Sequence, residues 1–563
     1  MELVNIDTVE MLLQIPLAPE GNYRLMADID LDGAVWKPFD FNGTLDGNGK
    51  SIYNFRIIAD GSGNQGFFGC VGEKGTVKDL TLKNLSLVVD ANAVAAGAVA
   101  GVNRGKIENC TVGADAPYVA TPRGNRNALT GYCDDSTIYA DRTSAAVGAV
   151  AGINAGVIIG AVSYLRLLGK PQELCAQNTG TAEGLYRDVS RRTELLPRSA
   201  IDMRKEIVAH METQGNFRWI PAKDMAFTSA YTGSYKIYEK NQVHYGLPYT
   251  QKNGSVERAR VCLTEDDYVA DWVPEYSDAS PLSRGSEAAP WDVYMGNDCS
   301  GAVYWSWQRV CPSIEFGYTG DIVPTEENQK LYGVLPLGDY RADTLLTDEV
   351  IRVNTPERIT ECYTRLLLGD AIVMRDPGYG HIRLVARDPM VMRRQDGTID
   401  IDASYVPTHE HGVGKGSSGR LSTWQLDARY TFRDLLDTHY IPITNRDLVT
   451  GAAAPVQIQA EGIDAPFRGQ VRTNYRIIST TVELEHMQTG ERFKSVEFTA
   501  LDKDRFKESP KQDGYARSTI RCVELSDHLE NLRDIPAGEY TYTVSVQLST
   551  GNRYIVRQGS YIS

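Results

Sequence analysis

Two nine-residue segments, Gly97-Ala98-Val99-Ala100-Gly101-Val102-Asn103-Arg104-Gly105 and Gly148-Ala149-Val150-Ala151-Gly152-Ile153-Asn154-Ala155-Gly156, are near-duplicates offset by 51 residues. Internal repetition of this kind marks an architecture in which a short unit stacks on copies of itself, because one unit cannot bury its apolar face alone. Small residues alternating with Val or Ile suit rungs with a narrow interior. Asn and Gly suit corners where φ must be positive.

The same grammar fills the first third of the chain. Asn22 to Leu31, Phe41 to Ile52 and Gly75 to Leu82 each read as a short β run followed by a tight turn. Asp28, Asp30, Asp46 and Asp79 fall mostly at these turns, where a short carboxylate bonds nearby backbone, so they read as turn residues rather than catalytic acids. An insertion from about Asp115 to Arg142 reads as a long loop suited to recognition. The repeats resemble the GLUG-type repeats of bacterial surface proteins. That resemblance implies a right-handed parallel β-helix over residues 1–167, serving as a spacer or glycan-binding module.

Residues 168–215 read as helical, with 168–204 as a connector and Ala182 to Val189 in its first helical run. Met203, Ile207 and Met211 recur at i, i+4 and i+8, which predicts an apolar face packed on the following domain. His210 has no partner pattern and reads as structural.

Asp298-Cys299-Ser300-Gly301 places a thiol where a turn enters the helical run Ala302 to Val310. Asn297 and Asp298 are cap-type residues, Ser300 and Gly301 leave room for a substrate, and Val303, Trp307 and Val310 form an apolar stripe. A thiolate there feels unpaired backbone N–H groups and the positive end of the helix, which predicts a pKa below the free value of about 8.5. The turn Asp376-Pro377-Gly378-Tyr379-Gly380 predicts a hairpin with His381 at the mouth of its second strand. A Cys–His pair within hydrogen-bond reach would let imidazole take the thiol proton and return it to a leaving amine. An orienting group is expected on the strand Tyr405 to Gly412. Alternation there sets Glu410 on one face and His409 with His411 on the other, and the period does not choose between them.

These motifs, with Gly246-Leu247-Pro248-Tyr249 upstream, resemble the NlpC-like and CHAP-type cysteine peptidases and amidases of bacterial cell walls. The resemblance covers roughly residues 205–445 and implies a papain-like α+β catalytic domain, here bounded at 205–446. It implies Cys299 as nucleophile, His381 as base, and Glu410 as orienter, with His409 or His411 as alternatives. Tyr249 would line the oxyanion site, and Ser300 stands beside the nucleophile. It also implies a substrate class, an amide bond in peptidoglycan stem peptides.

The acidic, aromatic stretches 263–291 and 314–355 read as insertions around the cleft, with Trp291, Tyr294, Trp305 and Trp424 as candidate walls. A formal net charge of -15 argues against nucleic acid as the main partner. No apolar run is long enough for a transmembrane helix, and the N-terminus is not a secretion signal, so an exported protein would have its leader outside this chain. The nine cysteines are scattered and lack CxxC pairs, which argues against a zinc site. No cofactor or metal is expected. After a linker at Gly451 to Pro455, two-faced strands over 456–563 predict an immunoglobulin-like β-sandwich with an anchoring or positioning role.

The whole reads as a multidomain, secreted or cell-surface cysteine hydrolase acting on peptidoglycan or another surface peptide or glycan polymer. The alternative is a surface adhesin or glycan-binding protein whose papain-like domain is inactive.

Overall fold

The computed structural model describes residues 2–58, 63–115, 136–221, 225–228, 235–249, 254–269, 296–412, 422–499 and 521–563. Most of the expected recognition loop, most of the acidic stretch 263–291, and Trp291 and Tyr294 lie outside the described residues. The fold is mostly β, with many parallel strands and few helices. The chain forms two compact units, Met1–Ser190 with Met390–Ser404, and Arg191–Pro389 with Tyr405–Ser563.

In the first unit the strands Asn22–Leu25, Thr44–Asp46, Thr76–Lys78, Lys106–Glu108, Val157–Ser163 and Thr181–Asp188 lie side by side in parallel. A second parallel row runs through Asp40–Phe41, Phe68–Val71, Ala100–Asn103, Ala151–Asn154 and Cys175–Asn178. The duplicated segments are neighbours in that row, with Ala100 beside Ala151, Val102 beside Ile153 and Asn103 beside Asn154. Their asparagines form a ladder: Asn103 Nδ2 donates to Asn154 Oδ1 at 2.7 Å, and Asn154 Nδ2 to Asn178 Oδ1 at 2.8 Å. Each buried amide thus satisfies the next. Leu45, Val77, Ile107 and Ile158 likewise stand in register and are fully buried. The recurrence in sequence is a recurrence of contacts.

Three of the four turn carboxylates bond backbone, and Asp79 Oδ1 accepts the Asn109 side-chain amide at 3.1 Å. Asp30 Oδ1 accepts the Asp32 N–H at 2.9 Å, Asp46 Oδ1 the Asn48 N–H at 2.9 Å, and Asp28 Oδ1 the Ser51 N–H at 2.7 Å. The helical reading of Ala182 to Val189 is corrected: Thr181–Asp188 is a strand, parallel to Val157–Ser163 and antiparallel to Val391–Arg394. Ala, Glu and Leu favour helix individually, but the open edge of the row offers a full set of backbone partners, and tertiary pairing overrides propensity.

In the second unit helix α1, Arg198–Gly215, buries Met203, Ile207 and Met211 as their spacing predicts. Helix α2, Cys299–Trp307, is buried along its whole length, and Trp307 Nε1 donates to the Gly369 carbonyl at 2.8 Å. The sheet comprises β1 (Val334–Pro336), β2 (Ala371–Asp376), β3 (Tyr379–Val385), β4 (Tyr405–His411), β5 (Trp424–Thr431) and β6 (Ile441–Asn445). Its order is β1-β6-β2-β3-β4-β5, all antiparallel. The C-terminal strands form two antiparallel sheets, one of Ile458–Glu461, Gln470–Thr473 and Cys522–Glu524, the other of Ile477–His486, Arg492–Phe498, Glu539–Leu548 and Arg553–Ile562. Val471 and Leu525 join Val482, Tyr540, Val544 and Val546 in one core between them.

Candidate active site

Asp298 has extended backbone and caps α2, its Oδ1 accepting the Gly301 N–H and the Ser300 hydroxyl, each at 2.8 Å. Cys299 is therefore the first helical residue, as its flanks predict. It opens on a cleft of about 760 Å³ whose walls include Tyr249, Ser300, Tyr379 and residues of the 314–355 stretch. That stretch thus borders the cleft.

Tyr249 reaches this point through a constrained turn. Gly246 has φ +82°, and a Cβ there would stand 2.2 Å from the Trp424 ring. Tyr249 then bridges Asn297, and its hydroxyl donates to Cys299 Sγ at 3.9 Å. Burial first, then the nearby Cys299 and Asp298, push the Tyr249 hydroxyl well above its usual pKa, so it remains a donor.

The expectation of a lowered thiol pKa is corrected. Burial pushes Cys299 up to about 12 and the Asp298 charge adds to it, against weaker opposition from the Ile382 and Ser300 backbone and the Tyr249 hydroxyl. Cys299 is only 5% exposed. Desolvation of a thiolate there outweighs the field of a short helix.

His381 and Glu410 are brought together, with His381 Nε2 at 2.8 Å from Glu410 Oε2. No hydrogen bond joins the imidazole to Cys299 Sγ in this structure. The sulfur meets the backbone of Ile382, the residue next to His381, and Nδ1 is the ring nitrogen left for proton exchange. Arg383 Nε also meets Glu410 Oε2 at 2.8 Å, and the Tyr430 hydroxyl donates to Oε1. The Arg383 guanidinium lies between the rings of Tyr430 and Tyr440, 3.7 and 4.2 Å from their centroids. Burial raises the Glu410 carboxyl, but His381, Arg383 and Tyr430 together outweigh it and hold the pKa down to about 2.

The three candidate orienters along β4 have different partners, and Glu410 is the one that bonds His381. His409 Nδ1 accepts the Asp427 N–H at 3.0 Å, and its Nε2 lies 3.4 Å from Glu212 of α1. His411 bonds Asn297 Oδ1 at 3.0 Å and Thr423 at 2.9 Å, and stacks on Trp424 at 4.0 Å. Neither histidine reaches His381, and the two have separate partners. Trp305 and Trp424 are buried in packing rather than forming cleft walls. His210 is buried against Ser306 and Gln214. Sequence reasoning missed Arg383, although its place two residues after His381 on the same strand puts both on one face.

No family model matches the chain, and no solved structure matches it. Two curated relatives match short stretches. "Halomucin" of Haloquadratum walsbyi is 36% identical over 72 residues, 13% of this chain and 1% of that protein. A "Putative Gly-rich membrane protein" of Evansella cellulosilytica is 33% identical over 102 residues, 16% of this chain and 12% of that protein. The chain thus covers a small fraction of both.

Proposed function

We propose that this chain is an extracytoplasmic cysteine hydrolase that cleaves an amide bond in peptidoglycan stem peptides. In this reading the second unit holds a papain-like domain followed by an immunoglobulin-like sandwich, and the first unit is a right-handed parallel β-helix that carries the enzyme along a polymeric substrate. The observation that carries it is the Glu410-bound imidazole of His381, one residue from the backbone that touches a helix-start thiol at the edge of a large cleft. The low identity and small share of the two relatives favour no particular substrate. Among the described residues no helix is long and apolar enough to cross a membrane.

Because the thiol is held protonated at rest, attack and deprotonation are coupled. Substrate binding brings His381 Nδ1 to the thiol, the proton moves to that nitrogen, and Sγ bonds the carbonyl carbon. The oxyanion is met by the Tyr249 hydroxyl and the backbone at the start of α2. Collapse of the tetrahedral intermediate breaks the C–N bond, and His381 returns its proton to the leaving amine. Water, deprotonated by the same imidazole, then releases the acyl group from sulfur. Glu410 fixes the ring and stabilises its charged form.

Purified muropeptides incubated with the wild type and with Cys299→Ala test the reading. Cleavage by the wild type alone, with an acyl adduct on Cys299 in intact-mass spectra, is the expected result. Cleavage by neither protein sinks it and favours a surface-binding protein with an inactive domain.

A further inference from the structure

One cation in the cleft has no side-chain partner among the described residues. Arg375, at the end of β2, lines the same cavity as Cys299, and no hydrogen bond or ion pair joins its guanidinium to a side chain among the described residues. Its backbone is fixed: the N–H donates to Thr347 Oγ1 at 2.9 Å, and the residue stands opposite Gly380 across the hairpin. The guanidinium is cleared by two glycines. A Cβ at Gly380 would come 3.1 Å from Arg375 Cδ, and one at Gly320 would come 3.6 Å from Nε. Asp321, Glu326, Glu327 and Asp343 line the cavity too. Glu326 is spent on Lys330 at 2.6 Å, and Asp321 Oδ2 accepts the Tyr318 N–H at 3.0 Å. A planar guanidinium held apart from these carboxylates offers a fork that fits one carboxylate in bidentate fashion.

Resting on the hydrolase reading for the identity of the cleft, we infer that Arg375 is the specificity residue for a free carboxylate on the substrate, next to the scissile amide. The acidic wall sets what else the ligand carries. A multiply charged anion such as a phosphate ester is repelled, whereas an amino-acid residue bearing one carboxylate and one ammonium meets charge of the right sign on both sides. Arg375 binds and does not react, so its loss acts on affinity.

The test is calorimetric titration of the full chain carrying Cys299→Ala, with and without Arg375→Gln or Arg375→Lys. The probes are a muropeptide-type peptide with a free α-carboxylate beside the scissile amide and the same peptide with that group as a carboxamide. The expected result is tighter binding of the acid than of the amide by the parent. Arg375→Gln loses roughly tenfold to a hundredfold on the acid and little on the amide, and Arg375→Lys falls between. Unchanged melting temperatures are expected, since the side chain has no described partner to lose. Equal affinity for acid and amide in the parent, an equal loss on both in Arg375→Gln, or binding of neither overturns the inference. Hydrolysis is scored separately on the protein with Cys299 intact: acid-over-amide binding through Arg375 in the Cys299→Ala parent, with neither peptide cleaved by the intact protein, overturns the hydrolase reading and leaves this one standing.

Discussion

Arg383 and His381 hydrogen-bond the same oxygen of Glu410, each at 2.8 Å. The carboxylate that would stabilise an imidazolium is therefore shared with a permanent cation two residues away on the same strand. The groups facing this pair are Glu410 and Tyr430 across the sheet, Tyr440 over the guanidinium, and Tyr379 and Cys299 toward the cleft. Replacing Arg383 by Met takes one of three partners from Glu410, the others being His381 and the Tyr430 hydroxyl. A less firmly held carboxylate orients the ring less well, so kcat is expected to fall by roughly tenfold with KM little changed, and Arg383→Lys, which keeps the charge, should recover part of the loss. A lower melting temperature with kcat unchanged would show that Arg383 is only structural.

Glu410 is the side chain on β4 whose loss should damage catalysis. Glu410→Gln is expected to lower kcat by roughly a hundred- to ten-thousand-fold with KM little changed, whereas His409→Ala stays within roughly tenfold. Steady-state kinetics on one muropeptide decide between them. The same carboxylate links stability to acid. Its pKa is about 2 when folded against roughly 4.3 in an unfolded chain, so its contribution is complete above about pH 4.3 and is lost as pH falls toward 2. Melting temperatures of wild type and Glu410→Gln should therefore converge over that window.

What the residues disclosed in advance, and what they hid, follows from the range of the interactions concerned. The stacked unit was readable because Ala100, Val102 and Asn103 recur as Ala151, Ile153 and Asn154, and recurrence survives without knowing the fold. The cap on α2 was readable because Asp298 acts on Gly301, three residues away. Thr181–Asp188 was misread because its partners, Val157–Ser163 and Val391–Arg394, are distant in sequence. The thiol was misjudged because burial, which the local sequence does not show, is the largest influence on it and outweighs the bonds from Ile382, Tyr249 and Ser300. The choice of Glu410 over His409 rests on the pairing of His409 with Leu384 and on an irregularity between Thr408 and Glu410, neither of which period-two alternation contains.

Asp298 both caps α2 and opposes ionisation of the thiol it precedes. With Cys299 held near 12, iodoacetamide labelling of the resting protein should keep rising with pH beyond about 8.5, where an ordinary thiol levels off. Asp298→Asn keeps a capping oxygen and removes the charge, so labelling at pH 8 is expected to be roughly tenfold faster, with little loss of stability. Mass spectrometry of the Cys299 peptide against time measures both rates. A slower reaction in Asp298→Asn would mean that the charge is not what restrains the sulfur. The sign for stability is separate: a neutral thiol is favoured in the folded state, so that contribution is present below about pH 8.5 and is lost as pH rises toward 12.

Glu315 binds two arginines of the C-terminal module, Arg476 and Arg521, the latter at 3.0 Å, and all three side chains are buried. The Arg476 guanidinium also lies 4.9 Å from the ring centroid of Tyr304 on α2. Further ties run from the Tyr475 hydroxyl to the Val310 carbonyl at 3.3 Å, and from Ser549 Oγ to Gln308 Oε1 at 3.3 Å. The C-terminal strands are thus fastened to the end of the helix that begins with Cys299, which fits a positioning role better than a loose anchor. Glu315→Ala leaves two buried guanidinium groups without their counter-charge, and the expected loss is about 3–5 kcal/mol. Calorimetry should show one cooperative transition for this unit at a lower temperature, together with slower hydrolysis. A variant in which the C-terminal strands melt separately while Cys299 keeps its wild-type reactivity would refute the coupling, because the helix would then hold its place without them.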